Sequence, residues 1–266
     1  MFIVKIPAIN GNTKGCERSG EMILKELRKI HVNEHGKEID FDFLDLEEIH
    51  IDNKNHGMTN KLIYENAKEI FGIKEKTIFL GGDQSITFPL ARAFLDYCEN
   101  ESKIPCLVVF DAHPDCNEKT DDFPTNEEWL RALIESGFPK ENILIVGMRN
   151  SNKKENIFLK ENKIKTMTMN SLTEDLHESC DSIMEFSEGK NLYVSIDIDV
   201  IDPSFAPSTE KKETGGLSGR EFLYLMNRIN KIKNLRAVDI TEINEKYDKE
   251  ELKTIKLGAK IVAEMI

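Results

Sequence analysis

Short apolar runs alternate with helix-period stretches along the chain. The apolar runs Phe2–Ile6, Ile39–Leu46, Thr77–Leu80, Cys106–Phe110, Ile143–Val146, Ile164–Met167, Leu192–Ile198 and Leu235–Ile240 predict strands. Between them, Met22, Ile23, Leu27 and Ile30 fall on one helical face. Further helical periodicities cover Leu62–Phe71, Phe88–Tyr97, Glu127–Ile134, Leu172–Met184, Phe222–Ile229 and Leu252–Met265. The central strands are continuously apolar, as strands buried on both faces must be. Strand–helix alternation of this kind predicts an α/β fold with a mostly parallel sheet. A closed barrel of eight β/α units fits the same pattern, and periodicity alone leaves both open. Either way, function is expected at the carboxyl ends of the strands. No Gly/Ser/Pro-rich linker interrupts the chain, so residues 1–266 read as one domain. The longest irregular stretch runs from Asp199 to Ser218, and a loop of that length is often functional.

Two strand ends carry the candidate chemistry. One is Asp111-Ala112-His113-Pro114-Asp115; the other is Ser195-Ile196-Asp197-Ile198-Asp199-Val200-Ile201-Asp202-Pro203. Alternate residues of a strand point the same way, so Asp111 with His113, and Asp197 with Asp199, can aim at one point. Carboxylates crowded together repel one another unless a cation neutralises them. No lysine or arginine lies within the two motifs, so a divalent metal is the natural partner. Oxygen donors with one imidazole favour Mn²⁺ or Mg²⁺ over Zn²⁺. Two ions sharing carboxylates can lower the pKa of a bound water and make hydroxide near neutral pH. The competing explanation is capping and turn-forming aspartates, which suits Asp202 before Pro203 but not both motifs at buried strand ends.

Charge and cysteine content narrow the class. The formal net charge of -12, with no basic stripe, disfavours nucleic acid and suits a cationic substrate, although it also serves solubility. The five cysteines are scattered without a Cys-x-x-Cys pair, which fits a reducing cytoplasm. Cys116 beside Asp115 reads as a packing residue. No run approaches the ~18 apolar residues of a membrane span, and Met1–Ile6 reads as a strand and not as a signal peptide. Among the other histidines, His50 and His56 are the ones placed to enter a site, with surface positions the simpler reading.

With these motifs in hand, the chain resembles the ureohydrolase family, the arginases and agmatinases. Gly81-Gly82-Asp83-Gln84-Ser85 looks like its first motif, Asp111–Asp115 its second and Ser195–Pro203 its third. Gly215-Gly216-Leu217-Ser218 and Glu242-Ile243-Asn244 also match, in the family's order. The resemblance implies a three-layer α/β/α domain with a central, mostly parallel eight-stranded sheet, which favours the open sheet over the barrel. It implies that Asp111 and Asp197 bridge two Mn²⁺ ions. His113 and Asp199 would complete one ion, and Asp115 with Gln84 the other. A metal-bridging hydroxide would attack a small cationic guanidino substrate and release urea and an amine. Glu242 matches the acid that bonds the guanidinium nitrogens, and Asn117 a residue near the substrate carboxylate in arginases. Glu242, Asp115 and Asn126 are the candidates for catalysis. A cytoplasmic homo-oligomer is expected on the same ground.

The departures from the family are as specific as the matches. The family has histidine where this chain has Gln84, so one or two ions per subunit are expected, with the Gln84 site the weaker. Near Asn126 the family often has a proton-shuttling histidine, and an asparagine does no acid–base work at neutral pH. Such help contributes ~10²–10⁴-fold, so its loss slows turnover without abolishing it. Thr125 or Asn126 can instead cap the following helix. The charges of Lys211-Lys212-Glu213 alter the substrate mouth, and Glu245 follows Asn244 where many relatives have proline. Three functional readings follow: an agmatinase-like or arginase-like hydrolase; an impaired relative binding one metal or a guanidino ligand for a structural or regulatory role; and a hydrolase of another C–N bond.

Overall fold

The computed structural model describes every residue except 12, 121, 249 and 250. Among the described residues, eight strands form one sheet in the order β2-β1-β3-β8-β7-β4-β5-β6. They are β1 (Phe2–Ile6), β2 (Asp45–Glu48), β3 (Thr77–Gly81), β4 (Pro105–Phe110), β5 (Ile143–Met148), β6 (Lys165–Thr168), β7 (Asn191–Asp197) and β8 (Leu235–Thr241). Every pairing is parallel. The sheet is open, with β2 and β6 at its edges, so the barrel alternative is excluded.

Parallel pairing requires crossovers, and the helices supply them. They are α1 (Ser19–Leu27), α2 (His56–Ile73), α3 (Thr87–Asn100), α4 (Trp129–Glu135), α5 (Lys153–Asn162), α6 (Met169–Glu174), α7 (Leu176–Phe186), α8 (Gly219–Ile229) and α9 (Lys253–Met265). Two separate apolar cores result. Val108 and Phe110 of β4 pack on one face with Ile23, Phe222 and Ile261. Leu107 and Val109 of the same strand pack on the other with Ile63, Phe94 and Leu133. That alternation makes the three layers.

The structure departs from the sequence reading at four places. The run Ile39–Leu46 is a strand only at its end: Phe41–Phe43 forms a 3₁₀ turn, with the Asp40 carboxylate accepting from Asp42 N. The helix expected over Leu172–Met184 is two helices, because Asp175 adopts an extended backbone and caps α7 through His177 N and Glu178 N. The apolar pattern gives no helix over α5, whose sequence is mostly polar; a capping box between Asn152 and Glu155 starts it instead. The stretch from Glu127 also begins later, at Trp129.

The four central strands, β3, β8, β7 and β4, are neighbours, and their carboxyl ends open onto one place. Phe110 pairs with Ile196, and Asp197 with Thr241. Asp111 therefore emerges beside Asp197, with the ends of β8 and then β3 beyond it. At the end of β3 the chain needs Gly82, since a Cβ there would sit 1.9 Å from the Ala8 carbonyl oxygen.

Candidate metal centre

The strand-end donors converge as two overlapping groups. Ligand atoms of Asp111, His113 and Asp199 lie within 4.8 Å of one another, and so do those of Asp111, Asp115 and Asp197. Asp111 belongs to both. Backbone amides hold the carboxylates in place. His113 N donates to Asp111 Oδ1 at 2.6 Å, Ala112 N to Asp199 Oδ1 at 3.0 Å, and Asp199 N to Asp197 Oδ1 at 2.8 Å. His113 Nδ1 lies 2.9 Å from Asp199 Oδ2. Asp115 takes φ +43° and Glu242 φ +63°, left-handed values that non-glycine residues avoid. Strain of that kind persists where the surroundings fix the backbone, and it clusters at functional sites.

The electrostatics show carboxylates without enough positive charge. Burial, then the charge of Asp199, raises Asp111 to about 6. Burial and the neighbouring carboxylates also push Asp115 and Asp197 well above the usual range. For His113, burial works downward, but hydrogen bonds to Asp111 and Asp199 outweigh it and raise the imidazole to about 11. Two buried oxygens, Asp111 Oδ2 and Gln84 Oε1, have no hydrogen-bond partner. Crowded acids with raised pKa values and unpartnered buried oxygens are groups that a bound cation would satisfy. The residues present therefore fit divalent metal.

Asn126 and Glu242 line the same cavity, and the Gln84 backbone joins them. Glu242 Oε1 accepts from Gln84 N at 2.9 Å and from Asn126 Nδ2 at 3.1 Å. Burial and then Asp83 push Glu242 well above the usual carboxylate range. Asn126 thus orients the acid and does not cap α4; Thr125 Oγ1 instead accepts from Glu127 N. Asn117 stays outside the cavity wall, its Oδ1 accepting from Asn152 Nδ2 at 2.8 Å. His50 is exposed near Glu48, and His56 begins α2; neither lines the cavity. Cys116 is buried, and burial raises its thiol, as a packing residue requires. Asp202 shapes its turn: Ser204 and then Gly215 and Gly216 donate to it and lower it to about 2.

Several residues at the site were not marked by the motifs. Lys211 lines the cavity from the long loop, with Nζ 2.7 Å from Glu127 Oε1. Burial opposes its charge, but Asp115 and Glu127 raise its pKa above the ordinary lysine value. No lysine or arginine lies within the two motifs, but this one reaches the carboxylates from the long loop. One ammonium does not balance Asp111, Asp115, Asp197, Asp199 and Glu242. Glu213 lies 3.4 Å from His113 Nε2 and accepts from Asn150 Nδ2 at 2.6 Å. Arg149 ties that loop down, donating to the carbonyls of Asp199 at 2.6 Å and Glu213 at 2.7 Å. Asp83, itself within the first motif, accepts from Asn10 N and Gly11 N and fixes the loop after β1. Asp239, a lone acid inside the apolar β8, carries a sequence signal outside any motif, because charged groups are rarely buried without partners.

A sequence model of the arginase family matches residues 3–266. This chain belongs to the arginase family. Its relatives include an arginase of Staphylococcus aureus (strain MSSA476), 27% identical over 251 residues, 85% of this chain and 82% of that protein. The fold matches a formimidoylglutamase of Bacillus subtilis with a TM-score of 0.89 at 20% identity, covering 99% of this chain and 84% of that one. It also matches a proclavaminate amidino hydrolase of Streptomyces clavuligerus with a TM-score of 0.87 at 24% identity, covering 99% and 89%. The chain is thus a hydrolase of the arginase family. Among the described residues, no helix is long and apolar enough to cross a membrane.

Proposed function

We propose that this arginase-family chain hydrolyses a small cationic guanidino compound to urea and an amine, in the manner of an agmatinase or arginase, with Mn²⁺ as cofactor. The observation that carries the reading is the pair of donor groups joined at Asp111, with Glu242 fastened beside them. Asp111, His113, Asp197 and Asp199 would hold one ion, and Asp111, Asp115, Asp197 and Gln84 the other. When bound, divalent ions there supply a water acidic enough to react near neutral pH.

The chain's own residues do the positioning. Glu242, fixed through Oε1, presents a carboxylate of set direction to a planar guanidinium, and two-point pairing suits that geometry. Its raised pKa marks a group that gains from a cation's arrival. Lys211 and Glu213 flank the mouth with opposite charges, next to Asp115 and His113 respectively, so the substrate's tail meets both signs. Asn126 holds Glu242 and transfers no proton, which leaves the leaving amine to take its proton from solvent. Action as a cytoplasmic homo-oligomer, without nucleic-acid partners, completes the proposal.

The test is direct. The purified chain is loaded with Mn²⁺, bound metal is counted, and urea release is measured from agmatine, arginine and guanidinobutyrate. Release at enzyme-like rates from one of them supports the reading. Metal binding without release from any of them favours the impaired relative, a reading that Asn126 and Gln84 motivate. In that event the double variant Gln84→His, Asn126→His gains activity over an inert parent.

A further inference from the structure

We infer that the two ion positions are chemically unlike: the Gln84 side is an all-oxygen site selective for a hard ion of the Mg²⁺ class, and the His113 side takes a transition ion. The inference rests on the reading that the cluster binds divalent metal, and it concerns which ion each side prefers.

The argument begins behind the site, at Asp239. Tyr193 OH and Thr87 Oγ1 donate to Asp239 Oδ2 at 2.6 and 3.1 Å, and Ser195 Oγ donates to Oδ1 at 2.9 Å. A serine hydroxyl has one proton. With that proton on Asp239, Ser195 can only accept from its other neighbours. Gln84 Nε2 lies 3.4 Å from Ser195 Oγ and is the matching donor. The amide is thereby turned nitrogen to Ser195, which fixes the direction of its oxygen. Gln84 is fully buried, and Oε1 has no hydrogen-bond partner. Ser195 and Asp197 stand two apart on β7 and share a face, so the amide rests on the wall that carries Asp197.

On this inference the freed Gln84 oxygen, buried and unpartnered, is the fourth donor beside Asp111, Asp115 and Asp197. None is nitrogen or sulfur. The imidazole of His113 belongs to the other group. Carboxylate and carbonyl oxygens suit Mg²⁺, Ca²⁺ and Mn²⁺, whereas imidazole adds preference for the transition metals. Replacing histidine by Gln84 thus changes the ion class of the site as well as its strength. Ser195 and Asp239 are positioning residues, because they touch Gln84 and its hydroxyl partner but no ligand oxygen of the cluster. The positive field of Lys211 weakens any divalent ion beside Asp115 and does not choose between Mg²⁺ and Mn²⁺.

The experiment counts ions and needs no substrate. The full chain, stripped with chelator, is loaded with Mn²⁺, and bound Mn²⁺ is followed by electron paramagnetic resonance while Mg²⁺ is added to about a hundredfold excess. The expected result is two bound Mn²⁺, one of which Mg²⁺ displaces. Gln84→His should keep both under the same excess. Ser195→Ala, with folding checked by thermal melting, should lose affinity for either ion at the displaceable site by roughly tenfold and leave the other site unchanged. Retention of both Mn²⁺ by the parent, displacement of both, or an unaltered response in Gln84→His overturns the inference. A single ion with no second site for either metal overturns it while leaving metal binding intact. Absence of any bound ion overturns metal binding as well.

Discussion

The two halves of the centre differ in how they are built. On the β4–β7 side, Asp111, His113, Asp115, Asp197 and Asp199 come from two short segments, at the two-residue spacing that a strand end provides. On the β3–β8 side, Gln84, Asn126 and Glu242 come from three segments far apart in the chain. The first half is a local device: backbone amides of the same loops hold its carboxylates. The second is assembled by tertiary contacts, each residue fixing another. By the resemblance read from the motifs, both departures from the family, Gln84 and Asn126, fall in the second half, where Asn126 bonds Glu242.

The largest effect is expected where the halves join. Asp111→Ala removes the residue shared by both donor groups. Loss of both ions and a fall in urea release of about a thousandfold or more are expected, read by metal analysis and assay. Asp199→Ala removes a donor of the His113 group only. It should spare the ion on the Gln84 side. Equal loss of both ions in Asp199→Ala would show that the halves do not act separately.

The same contrast explains what the sequence made legible. The strands β1, β3, β4, β5, β7 and β8 stood out because strands buried on both faces are continuously apolar. The edge strand β2 did not, since Asp45-Leu46-Glu47-Glu48 is mostly exposed and carries no apolar signal. Helix α5 escaped because a capping box starts it, and it buries only Glu155 and Leu159. Within the site, donors at fixed spacing could be read directly. The charges of Lys211-Lys212-Glu213 were legible at the mouth, but a loop of ordinary charged residues gives no periodicity to show which of them turn inward. Asp239 carried a signal of another kind, an acid in an apolar strand, and its three hydroxyl partners show what that signal meant.

Asp239 also gives the next prediction, on pH. Burial raises its carboxyl from 3.8 to about 6, against the lowering effect of Tyr193, Ser195 and Thr87. Between those values the folded chain keeps a proton that the unfolded chain has lost. The contribution of this group to stability is therefore full below the unfolded value and is lost as pH rises through about 6. The change is on the order of 3 kcal/mol. It can be isolated as the stability of the metal-free parent minus that of Asp239→Asn, from denaturant titrations at several pH values. The difference should move against the parent as pH rises from acid to neutral. A flat difference would mean that the three hydroxyls offset the burial in full, so that the carboxyl titrates in the folded chain as it does in the unfolded one. The backing of the Gln84 side would then be stronger than its burial implies.

The smallest expected effect separates the halves by charge. Lys211 acts chiefly on Asp115, and its ammonium is paired with Glu127 at 2.7 Å. A positive charge near a cation site disfavours the ion, so removing it should tighten binding beside Asp115. Lys211→Met keeps much of the side chain's apolar length and removes the charge. Mn²⁺ or Mg²⁺ affinity on the Gln84 side should rise by roughly tenfold, with little change on the His113 side, as measured by calorimetric titration. A fall in affinity would mean that the lysine serves to hold Glu127 and the loop in place, and that its packing outweighs its charge. Equal tightening of both ions would mean that the field of Lys211 spreads across the whole cluster. Asp111, shared by the two groups and itself within reach of that field, would then be the residue transmitting it.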